Sequence, residues 1–104
     1  MSMNVFIKSG YVRDLLPLGT SGTPTGSWMF KDAPVVAIQV TATGAATVVF
    51  EASNDGVNTV ATALGTVTLA GAGSDGLVTA NTPYKFIRAR VTANAGTLGV
   101  NMCN

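Results

Sequence analysis

The chain has 104 residues, of which 11% are charged, with a net charge of +1 and no histidine. That length holds one domain with a core of its own, and the near-neutral balance excludes the basic footprint of a nucleic-acid binder. No run of ~18 apolar residues marks a membrane span, and the missing histidine removes the usual zinc and acid–base sites.

Residues 4–8 read as a first strand, with Val5 and Ile7 on one parity, and residues 11–16 as a second extended stretch. No basic segment leads into a long apolar run, so a signal peptide is not expected. Residues 17–27 hold two prolines and three glycines and are expected to form one long irregular loop. Trp28, Met29 and Phe30 follow, expected to plug one end of the core, or else to present an apolar patch to a partner.

The alternation is clearest over residues 35–52. Val36, Ile38, Val40 and Ala42 share one parity; after Gly44, so do Ala46, Val48, Phe50 and Ala52. A period of two with one apolar face means half-buried strands. The two runs, 35–43 and 46–52, are expected to pair as a hairpin. Ser53-Asn54-Asp55-Gly56 is turn chemistry, residues 59–70 make a weaker strand broken near Gly65, and residues 71–76 read as turn throughout. A short strand is expected at 77–79.

Residues 84–92 form the next strong strand, with Ile87, Ala89 and Val91 facing one way and Phe86, Arg88 and Arg90 the other. Asn94-Ala95-Gly96 then turns the chain into 98–102. The likeness of Val40-Thr-Ala-Thr-Gly44 to Val91-Thr-Ala-Asn-Ala-Gly96 suggests two similar hairpins. No window carries a helical stripe. The expected fold is all-β: an antiparallel, jelly-roll-like β-sandwich of seven to nine short strands with no substantial helix. Ile38, Val40, Val48, Phe50, Ile87, Val91, Val100 and Met102 are its expected core. Residues 35–104 form the sandwich, and residues 1–34 belong to the same domain or form an arm.

Chemistry is scarce. The carboxylates are Asp14, Asp32, Glu51, Asp55 and Asp75, and no pair has the spacing of a glycosidase. Asn54-Asp55-Gly56 with Asn58 matches a calcium loop at only two positions and lacks its final Glu. Lys85, Arg88 and Arg90 read as a solvated strand face. The single Cys103 excludes a disulfide framework and, without histidine, suggests no nucleophile. No enzyme, cofactor or metal is expected. A surface wetted by hydroxyls rather than charge points to one covered by partners.

The segment Val48-Val-Phe-Glu-Ala-Ser-Asn-Asp-Gly-Val-Asn58, followed by Pro83-Tyr-Lys-Phe-Ile-Arg-Ala-Arg-Val-Thr-Ala93, resembles a pattern in small virion proteins of tailed bacteriophages. The same layout occurs in discoidin-like jelly rolls. The resemblance departs at Thr59, where such proteins place a Trp; Trp28 is the candidate to fill that space. It implies a capsid decoration or cement protein, made in the host cytoplasm and placed on the capsid surface, with the major capsid protein as partner and a homotrimer as assembly. No nucleic acid or membrane is expected as a partner. The alternatives are a neck, tail or baseplate component, or a carbohydrate-binding adhesin module using Tyr11, Trp28 or Tyr84. The loop at 17–27 is the expected contact region, with Leu16, Leu18 and Trp28 as anchors, and removal of residues 20–26 is expected to leave folding intact.

Overall fold

The computed structural model describes residues 12–31, 33–60, 64–79 and 82–103. The expected strand at 4–8 and Tyr11 lie outside these residues. Among the described residues eight strands follow one another: β1 (Val12–Ser21), β2 (Met29–Phe30), β3 (Ala37–Ala42), β4 (Ala46–Ser53), β5 (Gly65–Leu69), β6 (Gly73–Val78), β7 (Phe86–Asn94) and β8 (Thr97–Cys103). There is no helix among the described residues.

The strands form two four-stranded antiparallel sheets, ordered β1-β8-β3-β6 and β2-β7-β4-β5. The pairs β1·β8, β2·β7, β3·β6 and β4·β5 describe one long two-stranded ribbon whose tip lies between β4 and β5. Folding that ribbon over places alternate segments in opposite sheets and brings β8 beside β3 and β7 beside β4. This is the double-sheet jelly roll.

The inward parity of both sheets meets in one core. Val36, Ile38, Val40, Val48, Phe50, Ile87, Val91, Leu98, Val100 and Met102 are each no more than 3% exposed, which includes all eight residues expected there. Met29, Leu64, Leu69 and Leu77 pack around its rim.

Neither expected hairpin exists. β3 and β4 lie in different sheets, as do β7 and β8, so residues 43–45 and 95–96 are arches that carry the chain across the sandwich. The likeness of the two segments is nonetheless structural, because the arches lie side by side. Thr43 N donates to Thr97 O (2.9 Å), Ala95 N donates to Ala45 O (2.8 Å), and Thr97 N donates to the Thr43 hydroxyl (2.8 Å).

Two composition-based readings also yield to tertiary pairing. Gly73-Ser-Asp-Gly76 is strand, held along β3 with Thr41 opposite Ser74 and Gln39 opposite Gly76. At a sheet edge, backbone pairing tolerates residues of low strand propensity. The segment 17–27 is no free loop either. Its first half continues β1 to Ser21. Pro24 O then accepts from Val91 N (3.0 Å) and Gly26 N donates to Ala89 O (2.8 Å), which lengthens the edge beside β7. Asn94 Nδ2 donates to Gly22 O (2.9 Å), and a Cβ on residue 26 would stand 2.9 Å from Leu15 O. Removing residues 20–26 would strip the end of β1 and the edge of β7, so the expectation that folding survives it is corrected.

Candidate functional site

The two outer faces of the sandwich differ in chemistry. On the second sheet, Glu51 of β4 stands opposite Arg88 of β7, and Val49 stands opposite Arg90. Same-face neighbours on paired strands are within side-chain reach. Glu51 accepts from Arg88 Nε at 2.8 Å through one oxygen and from Arg90 Nε at 2.9 Å through the other. Its side chain is only 13% exposed. Burial pushes its carboxyl up, but the hydrogen bonds and charges of both arginines outweigh that and hold it below the ordinary range.

Arg88 also donates from Nη2 to the Thr59 hydroxyl (3.0 Å), and its guanidinium carbon lies 4.3 Å from the centre of the Trp28 ring. Trp28 and Thr59 thus flank the same guanidinium. Beside them Phe30 and Phe86 meet edge to face, with ring centres 5.9 Å apart. Of the three basic residues read as a solvated strand face, Arg88 and Arg90 are an ordered pair around one carboxylate, while Lys85 is exposed and lines the recess beside Lys31.

The turn after β4 consumes its own polar groups. Ser53 Oγ is buried, donates to Asp55 Oδ1 (2.8 Å) and accepts from the backbone N–H of Asp55 and Gly56. Asp55 Oδ1 accepts from the N–H of Val57 and Asn58, and Oδ2 from Asn58 Nδ2. Those backbone donors, Asn58 first, hold its carboxyl well below the usual carboxylate range. Gly56 sits at φ +73°, which favours glycine, with the Phe86 ring beneath it. The resemblance to a calcium loop is thus a self-satisfied turn. Among the described residues no three His, Cys, Asp or Glu side chains gather as metal ligands.

Lys31 is 5% exposed, and its ammonium donates to the carbonyls of Ala33 (3.1 Å), Pro34 (3.0 Å) and Thr82 (2.8 Å). Burial lowers its pKa. It ties the β2–β3 connection to the approach of β7. A recess of about 280 Å³ beside it is lined by Phe30, Pro34, Tyr84 and Lys85. The three ammonium hydrogens are matched by three carbonyls, so the recess gains no donor from Lys31.

The outer face of the first sheet is different. The register places Val12, Cys103, Ala37 and Val78 in one row, and Asp14, Asn101, Gln39 and Gly76 in the next. Gly99, Thr41 and Ser74 form a third, with Thr41 and Ser74 sharing a 2.9 Å hydrogen bond. Asp14 is the one charge in these three rows. Between Leu16, opposite Val100, and Thr20, opposite Leu98, the strand β1 bulges. Thr20 Oγ1 donates to Pro17 O (2.6 Å) and Gly19 adopts φ +94°, closing the bulge. Leu18 rides on it, 79% exposed, its backbone seated over Gly99, where a Cβ would stand 2.8 Å from Leu18 Cα. A recess of about 290 Å³ beside it is lined by Asp14, Leu16, Leu18, Thr41 and Asn101.

The three expected contact residues are therefore not one site. Leu16 is buried in the core, Leu18 stands out from the first sheet, and Trp28 is half-buried on the second, with a guanidinium on one ring face. Tyr84 is half-buried beside the Lys31 recess. Sequence reading missed the Glu51 cluster, whose signal is a lone outward Glu facing an outward Arg-x-Arg once the strands are paired. It missed Lys31 as well, which sits in turn-like sequence and carries no signal. No protein-family model, curated protein or solved structure matches the chain.

Proposed function

We propose that this chain is a non-enzymatic structural protein of a tailed-phage virion, a capsid decoration or cement protein that lies on the major capsid shell and stabilises it. The observation that carries the reading is the outer face of the first sheet. It bears one carboxylate, glycine and hydroxyl rows, and Leu18 raised clear of it on a bulge. Such a face can be covered without desolvating many charges, the main cost of burying a polar surface. The molecule is a plate, 39 × 38 × 19 Å. A plate spreads contact over neighbouring subunits of a shell. The resemblance of residues 48–58 and 83–93 to virion proteins adds the setting: the capsid surface, with copies grouped as homotrimers or trimerising on the shell.

The test is direct. Purified protein added to heads lacking tails should bind in hundreds of copies, a number typical of shell sites rather than tail sites. Leu18→Asp should abolish most of that occupancy while leaving the melting temperature unchanged, because Leu18 lies outside the core. Bare heads with protein found only on tails would replace this reading with a neck, tail or baseplate role. Glycan-array binding without head association would replace it with a carbohydrate-binding module.

A further inference from the structure

We propose that Arg88 and Arg90 form a preorganised receptor for a carboxylate carried by a partner protein, an Asp or Glu side chain in an acidic segment. Glu51 engages each arginine only at Nε. Both terminal nitrogens of Arg90 and Nη1 of Arg88 make no hydrogen bond to any described residue. The Arg90 side chain is 42% exposed, so its terminal fork opens to the outside. A guanidinium presenting two parallel N–H groups matches a carboxylate in bidentate geometry.

Three features separate this cluster from an ordinary surface ion pair. First, the ordering cost is already met: Glu51 holds both side chains at Nε, while Trp28 and Thr59 hold Arg88 a second time. An arginine not held in this way loses its rotamer freedom on binding. Second, two guanidiniums around one carboxylate leave a residual charge of one, which suits a monoanion. The Glu51 carboxylate between them disfavours a doubly charged phosphate, and the small positive patch is too narrow for nucleic acid. Third, the register flanks Arg90 with Thr25 on one side and Val49, then Thr66, on the other. Trp28 lies against the neighbouring Arg88. Arg and Trp are the residue types that most often anchor protein interfaces. Neither recess described above includes Arg88 or Arg90, and the Arg90 fork is open to solvent, so a ligand that brings its own covering surface, as a protein chain does, fits it better than a free small anion.

The site lies on the sheet opposite the Leu18 face. Its failure would leave the proposed decoration role standing, and bare heads would leave the site standing. The experiment titrates the full chain with hexaglutamate at low ionic strength, reading the arginine Nε–H signals and the Trp28 indole N–H by NMR. Saturable shifts of Arg88, Arg90 and Trp28 are expected. Arg90→Gln should weaken binding by roughly tenfold or more, as loss of an interface anchor does. Arg90→Lys, which keeps the charge and loses the fork, should weaken it as well. The absence of a saturable shift overturns the proposal, as does an equal response to sodium sulfate at matched ionic strength, meaning an adventitious ion only. So does an Arg90→Lys variant that binds like the parent.

Discussion

Arg88 lies over the face of Trp28, its guanidinium carbon 4.3 Å from the ring centre, while its Nε is held by Glu51. The contact joins a residue of the β1–β2 connection to the middle of β7 and covers one face of the chain's single tryptophan. A cation over an indole face contributes about 0.5–1 kcal/mol where exposed. Its larger effect here is to shield the ring. Arg88→Met should shift Trp28 fluorescence to longer wavelength and raise its quenching by acrylamide. An unchanged quenching constant would show that the guanidinium is not the cover.

The core makes a second prediction. Phe50 is fully buried between the sheets, so Phe50→Ala should cost about 3–5 kcal/mol in urea unfolding. A variant as stable as the parent would contradict the packing described.

Acid should weaken the fold through two carboxylates. Asp55 and Glu51 are both held below their unfolded values of about 3.9 and 4.3. A depressed folded pKa contributes stability that is present above the unfolded value and lost as pH falls through the folded one. The melting temperature should therefore hold from pH 7 to about pH 5 as far as these groups are concerned, and drop below about pH 4. Asp55→Asn should flatten that drop. Ser53→Ala, which leaves two part-buried N–H donors of the turn without their acceptor, should cost about 1 kcal/mol at neutral pH.

Lys31 supplies a fourth. Its ammonium satisfies three part-buried carbonyls from two connections, so Lys31→Met should cost about 1–3 kcal/mol. Hydrogen exchange should quicken at residues 33–36 and 82–85 before the core strands respond. Uniform exchange across both sheets would mean that Lys31 does not tie these connections.

What the alternation could reveal is which side of a strand is buried. Val36 through Ala52 announced its inward face, and every expected core residue lies there. Alternation does not say which sheet a strand joins, because an arch and a hairpin can carry the same parity; hence the misreading at Gly44 and at Gly96. Composition misled at residues 73–76 and over residues 17–27, where pairing with β3, β8 and β7 overrides turn-forming residues. The Glu51 cluster stayed hidden because its partners lie 37 and 39 residues away, a distance that only strand pairing closes.

The place of β8 between β1 and β3 has a kinetic consequence. Val12 is paired with Cys103, so the first and last of the described strands must find each other across nearly the whole chain. Closing so long a loop is entropically expensive, and topologies dominated by distant pairings fold in milliseconds to seconds rather than microseconds. On a ribosome the second sheet can assemble once β7 has emerged. The first cannot: among the described strands, until β8 arrives β1 has no partner and β3 has only β6. A nascent chain halted before Thr97 would hold one finished sheet with its apolar face uncovered, which makes the last seven-residue strand the step that separates folding from aggregation.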